Sequence, residues 1–347
     1  MYRKATILIL AVLVAGLLGA CSRNTPVSAV SFPGFNDTVV ISLPGASSSK
    51  AETIFSQIRK DIDYMQNSWN PSIPGPLART NLLLSSMQEF SAPPSLIPLI
   101  RLGQQYSDMT GGLYDPAIAK LTEYYTAAEP TTESKDNLKV SFLENAVVLS
   151  DLPSASDIEI NGYRLRGTNP NLKLDFGILK KGYALEICAQ LLRDANISNA
   201  SIKIGPDVRT LGSRSGEPWR AVIPLGDAVG ILATLDITNE AVMTLNQFHP
   251  QSTENMSSGY PVINPETGKL IDHTKSVTVI HPDAVHASVA AHALFASGPE
   301  KWGETARLLG IEDAVITDAS GTVHITQNLA PRLHFVNHDT AFTTIEL

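Results

Sequence analysis

Cysteine is nearly absent from the chain. Of 347 residues only Cys21 and Cys188 carry a thiol, so no disulfide framework holds this fold together. Cys188 lies in YALEICAQLL, where its simplest use is as a small buried apolar side chain. Charge is scarce too, at 17% of residues, and its balance is acidic, with a formal net charge of -8. That balance gives no electrostatic footing for nucleic acid, although a local basic pocket can still hold a phosphate. Metal-binding spacing is also missing. His281, His286 and His292 are five and six residues apart, which puts them on no common helical face. No segment repeats in tandem. What is present is 43% hydrophobic residues, enough for a globular body with a sizeable core.

The N-terminus speaks to location. MYRK is a positive n-region, ATILILAVLVAGLL an apolar h-region, and LGAC ends it at Cys21. The apolar run is shorter than the ~20 residues of a comfortable spanning helix. LGAC resembles the lipobox of bacterial lipoproteins, in which the cysteine is lipidated and becomes the new N-terminus. The resemblance implies a signal peptide over 1–20, a lipid membrane partner through Cys21, and a place in the bacterial cell envelope. Ser22, which is not aspartate, points to the outer membrane and its periplasmic face.

Residues 21–50 are rich in Ser, Pro, Gly and Thr and read as a tether and lead-in segment, with order beginning near Ala51. One domain over 51–347 follows. Ile54, Ile58, Ile62 and Met65 predict a helix, NLLLSSMQEF a second starting at Asn81, and PSLIPLIRLGQQYSDM a third ending at Gly111 and Gly112. Asp115 and Pro116 suit the N-cap and first turn of a short helix. AVVLS, IEINGYRLRG and LKLDF read as short strands, with Asn161 and Gly162 as a hairpin turn. Strand candidates then follow at ASIKI, WRAVIPL, GILATLDIT, AVMTL and SVTVIHP, and AVHASVAAHALFASG predicts a small-residue helix. Mixed antiparallel strands and helices make this an α+β fold.

The stretch LDFGILKKGYALEI, residues 174–187, carries more than a packing helix needs. An acid, a glycine, two lysines and a second glycine precede an apolar stripe that begins near Gly182. In order along the chain, GGLYDPAIAKL, LDFGILKKGYALE, IKIGPDVRTLG, INPETG and VHASVAAHALFASG resemble the FAD:protein FMN transferase family over roughly residues 54–310. That resemblance implies magnesium-assisted cleavage of FAD at its pyrophosphate. FMN is left on a threonine of an extracytoplasmic flavoprotein, and some relatives hydrolyse FAD instead. It also implies a flavin pocket built from Asn81, Asp115, Asp175, Gly177, Lys181, Gly182, Glu186, Gly205 and Thr267, with Asp207 and Thr244 at the chemistry.

Several positions depart from the family's pattern. Lys180 stands where a small or apolar residue is usual, and Glu186 where the acid is shorter. Pro206 interrupts a glycine turn, removing one N–H. Pro261 and Asn264 replace a histidine and an aspartate. The two magnesium ligands of the family correspond to Ser288 and His292, neither of which suits a hard cation as a carboxylate does. A second reading follows from these losses: a flavin- or nucleotide-binding or structural envelope lipoprotein without catalysis.

Overall fold

The structure, a computed structural model, describes residues 26–127, 152–226, 230–247, 260–264 and 267–347. Cys21, the leader before it, AVVLS and Pro265 lie outside the described residues. Among the described residues no helix is long and apolar enough to cross a membrane.

A nine-stranded sheet organises the described chain. Its strands are β1 (Val27–Gly34), β2 (Asp37–Pro44), β6 (Ala200–Ile204), β7 (Asp207–Leu211), β10 (Ala241–Asn246), β11 (Thr274–His281), β12 (Asp313–Asp318), β13 (Val323–Thr326) and β15 (Phe342–Ile345), in that spatial order. Neighbours pair antiparallel except β13 and β15. Two three-stranded sheets accompany it. One contains β3 (Phe90–Ser91), β4 (Ile158–Asn161) and β5 (Arg164–Gly167), and the other β8 (Trp219–Pro224), β9 (Ile231–Ile237) and β14 (Leu333–Phe335).

The helices are α1 (Ser48–Ser68), α2 (Pro76–Ser85), α3 (Ile97–Met109), α4 (Ala119–Ala127), α5 (Leu179–Asp194), α6 (Ala284–Ser297) and α7 (Trp302–Leu308). Strand alternation divides the apolar residues between two cores. On β10, Ala241, Met243 and Leu245 join the large core under the helices, while Val242 faces the smaller core with Trp219, Leu235 and Ile280. Both faces of the sheet are therefore covered, which is why AVMTL reads as a nearly unbroken apolar run. Helix α6 is buried almost all round, so its alanines set how closely α5 and the sheet approach it.

Several expected boundaries move. The Ser- and Pro-rich lead-in is not a tether as far as residue 50, because β1 and β2 form a hairpin and β2 pairs with β6. The alternation in DTVVISLP decides this, putting Val39, Ile41 and Leu43 wholly inside the core. Helix α2 starts at Pro76, not Asn81, since proline at the first helical position needs no N–H partner. Helix α4 starts at Ala119, later than Pro116. Residues 172–176 form no strand: Lys173 makes an isolated parallel bridge to Ile118, and the Asp175 N–H bonds to the Pro116 carbonyl at 2.8 Å. The β4–β5 loop is Gly162 and Tyr163, one residue later than expected. Helix α5 begins at Leu179, before Gly182.

Deleting residues 26–44 removes four buried core side chains, Phe32, Val39, Ile41 and Leu43, and bares the edge of β6. The expected outcome is insoluble protein or a lost cooperative melt. A soluble truncation with the parent's melting temperature would show that the hairpin is dispensable.

Candidate functional site

Residues 172–178 run as irregular backbone beneath α2 and into α5, and each neighbouring polar group has a local reason to be there. Asn81, in mid-helix, donates to the Leu174 carbonyl at 3.0 Å and accepts the Leu174 N–H at 2.9 Å. It thus stands in for the missing strand partner and is no helix cap. Asp115 accepts N–H bonds from Ala117 and Ala155 and a 2.7 Å bond from the Ser107 hydroxyl. Burial raises its carboxyl above the ordinary range against these bonds, which pull it down.

Asp175 accepts the Gly177 N–H at 3.0 Å and lies 3.4 Å from Lys180 Nζ. Gly177 has φ 51°, and a side chain there would strike the Tyr260 ring. The Tyr260 ring lies 6.4 Å from that of His292. Tyr114 meets His292 edge to face at 5.2 Å. Burial lowers the His292 pKa to about 4, so the imidazole is neutral at ordinary pH, and its buried Nδ1 has no partner among the described residues.

One residue further along α5, Lys181 Nζ lies 3.3 Å from Asp37 and 3.6 Å from Asp207. Asp207 opens β7, is 1% exposed, and accepts the Thr244 N–H at 2.9 Å. Burial pushes its carboxyl up to about 6, Asp37 adding to the rise while Lys181 and the Thr244 N–H oppose it. The Thr244 hydroxyl is 2.9 Å from that of Thr278, both buried between β10 and β11. Gly205 and Pro206 form the two-residue β6–β7 turn, with φ 61° at Gly205. The Asp37 carboxylate covers that turn so closely that a Cβ on Gly205 would overlap it.

Other expected residues are held by the scaffold. Glu186 accepts from Arg209 Nε at 2.6 Å and from the Ala284 N–H at 2.9 Å, tying α5 to β7 and to the start of α6. Gly182 is the close-approach point of α5 and α6: a Cβ would come 2.5 Å from the Ala284 carbonyl and 2.7 Å from Ser288 Oγ. Thr267 is exposed in a turn, its N–H on Asn264 Oδ1 at 3.0 Å. Among the described residues no hydrogen bond or ion pair joins it to the Lys181 cluster.

Ser288 and His292 do not fit a magnesium ion. Ser288 is fully buried and donates to the Val285 carbonyl at 2.7 Å, under Gly182. His292 offers a neutral nitrogen, where a hard cation takes charged oxygen. Among the described residues no group of three or more His, Cys, Asp or Glu side chains is placed to hold a metal. A surface hollow of about 490 Å³ lies elsewhere, lined by Glu89, Glu159, Arg164 and Arg166, whose charges pair with one another.

Sequence reasoning missed Asp37, Tyr260, Arg209 and Thr278 as members of this neighbourhood. Asp37 was hidden by the composition of its segment, and its one available signal was the strand alternation that follows it. Thr278 carries no signal beyond its place in an apolar strand.

The pattern that defines the ApbE family matches residues 35–315. The FAD:protein FMN transferase of Rhodobacter capsulatus is 24% identical over 339 residues, covering 96% of this chain and 64% of that protein. The Escherichia coli K12 protein of the same name is 31% identical over 152 residues, 43% of each chain. These matches thus span less than two thirds of either relative's length. Among solved structures, the flavin transferase ApbE of Vibrio cholerae superposes with a TM-score of 0.69 at 20% identity, over 89% of this chain and all of that one. The apo flavinyl transferase ApbE of Pseudomonas stutzeri gives 0.67 at 20% identity, over 84% and 90%. With mixed sheets and packed helices in the same arrangement, and the family's pattern running through most of its length, the chain belongs to the ApbE family.

Proposed function

We propose that this chain cleaves FAD at its diphosphate and passes the FMN half to a hydroxyl of another protein, releasing AMP. The observation that carries the reading is the Lys181–Asp207 contact, which joins the α5 entrance to the β6–β7 turn. Those are two of the segments whose order resembles the transferases, and the relatives' shared name supplies the reaction. In the transfer, the acceptor oxygen bonds to the phosphorus on the riboflavin side. The bond from that phosphorus to the bridging oxygen breaks, and the bridging oxygen leaves with AMP. Asp207, with a carboxyl pushed up to about 6, is ionised at neutral pH yet basic enough to take the hydroxyl proton, which then passes to solvent. The Thr244 N–H fixes its orientation, and Lys181 places positive charge beside the reacting oxygens. Ser288 and His292 take no part in these steps.

The acceptor in this reading is a threonine of an extracytoplasmic flavoprotein. The chain itself is anchored by lipid on Cys21 in the bacterial envelope, facing the periplasm. Palmitate labelling that disappears in Cys21→Ser is the expected result for the anchor, and labelling retained in that variant would remove it.

Incubating the full chain in detergent with FAD and an envelope protein fraction, followed by mass analysis, tests the reaction. Protein-bound FMN should appear in step with AMP. Free FMN in step with AMP instead would make water the acceptor, and no AMP under any divalent-ion condition would refute the enzyme reading.

A further inference from the structure

The β1–β2 hairpin brings a second carboxylate to Lys181, and the sheet register decides where it lands. Val39 pairs with Ile204 and Ile204 with Asp207, so these side chains share one face of the sheet. Asp37, two residues before Val39, falls on the same face. The hairpin tip is fixed as well. Phe35 and Asn36, with φ 55° and 59°, make its two-residue turn, and the Phe35 N–H donates to Gln66 of α1 at 2.9 Å. Gly205 leaves room for the carboxylate, since a Cβ there would come 2.1 Å from Asp37 Oδ2.

One ammonium therefore stands between two carboxylates, Asp37 at 3.3 Å and Asp207 at 3.6 Å. With both acids ionised the three groups carry one negative charge in excess, and a single proton removes it. That proton goes to Asp207, because its side chain is 1% exposed against 32% for Asp37, and the buried charge is the harder one to keep. The neighbouring charges are engaged elsewhere: Lys180 with Asp175, Arg209 of β7 with Glu186, and Lys203 on the other face of β6. From β10 comes the Thr244 N–H, and behind it the Thr278 hydroxyl of β11, both uncharged.

We propose that Asp37 is a positioning residue for the transfer: by sharing Lys181 it denies Asp207 a counter-ion of its own, and so keeps the buried carboxylate ready to take the acceptor's proton. This rests on the part given to Asp207 above. Asp37 acts through Lys181 and takes no proton itself. In Asp37→Asn an oxygen remains for the Thr38 N–H, but one ammonium then faces one carboxylate. Asp207 holds its charge more readily there and becomes a weaker base.

Carbon-13 NMR of the full chain in detergent, labelled at the aspartate carboxyl carbons, tests this without FAD. The resonance missing from Asp207→Asn identifies Asp207. Its midpoint, about 6 in the parent, should fall by about one pH unit in Asp37→Asn, and the acid limb of the AMP-release profile should move down with it. Asp37→Ser should behave alike, because the effect is one of charge. A side chain that only pinned the hairpin would change the melting temperature and leave both midpoints in place. An unmoved Asp207 midpoint in a chain that releases AMP would overturn the inference and leave the flavin reading standing. A carboxyl midpoint that falls while the acid limb stays would remove Asp37 from the transfer. A parent that releases no AMP would overturn both readings.

Discussion

Asp207→Asn is expected to cut AMP release by about a hundredfold to ten-thousandfold, the range for losing a general base, and to leave the protein more stable than the parent at pH 8. The two effects share one cause. The Asp207 carboxyl is raised from 3.8 to about 6 by burial, so the folded chain holds that proton more tightly than the unfolded chain does. Its favourable contribution is complete below about pH 4 and is lost as pH rises through about 6. A shift of about 2 units corresponds to roughly 3 kcal/mol at most by pH 8. Asparagine keeps an oxygen for the Thr244 N–H and carries no charge to bury, while Lys181 retains Asp37. Melting temperatures of variant and parent should coincide near pH 4 and diverge towards pH 8, the variant higher. A variant that loses stability at pH 8 would refute the burial argument, and one that releases AMP at the parent's rate would remove Asp207 as the base.

Glu186→Ala is expected to cost about 3 kcal/mol of stability without changing FAD affinity. Resemblance placed Glu186 in the flavin pocket, but its carboxylate meets Arg209, whose side chain is 6% exposed, and caps the Ala284 N–H. Removing it strands a buried guanidinium that, among the described residues, keeps only the Thr210 carbonyl, and leaves the start of α6 without that acceptor. The double variant Glu186→Ala with Arg209→Met should recover part of the loss, since the stranded charge is then gone. Urea unfolding and an FAD titration on the same samples decide the matter. Weakened FAD binding with an unchanged unfolding midpoint would return Glu186 to the nucleotide pocket.

These predictions separate residues that one motif had grouped. LKKGYALE was legible as a helix with a basic, glycine-bounded start, because helical periodicity and glycine placement are local properties of the chain. The partition within it was not. Lys180, Lys181, Gly182 and Glu186 point to four surroundings, which are an Asp175 pair, a buried carboxylate, a helix contact and a buried arginine. Successive side chains on a helix project in different directions, so neighbours in sequence need not share a task.

Asn81 and Asp115 show the same limit from another side. Each was legible as a polar residue beside a helix, with a cap as a sufficient local use. Asn81 instead serves a backbone segment 93 residues away, and Asp115 reaches across to Ala155. The lead-in segment is the converse case. Composition marked it as a tether, yet the period-two run from Asp37 to Pro44 outweighed composition once β6 was there to pair with it.

By itself the sequence determined the α+β class, the positions of the longer helices and strands, and the ordered motifs by which the family is recognised. All of these depend on periodicity or on residues within one short stretch. Only the tertiary structure decided which carboxylates meet the lysines of α5, that Ser288 is sealed by Gly182, and that Asp37 belongs to the site. Asp37 and Lys181 are 144 residues apart, and no pattern in either segment names the other. Their meeting follows from β2 pairing with β6, and from how closely a glycine and a row of alanines let α5 pack against α6.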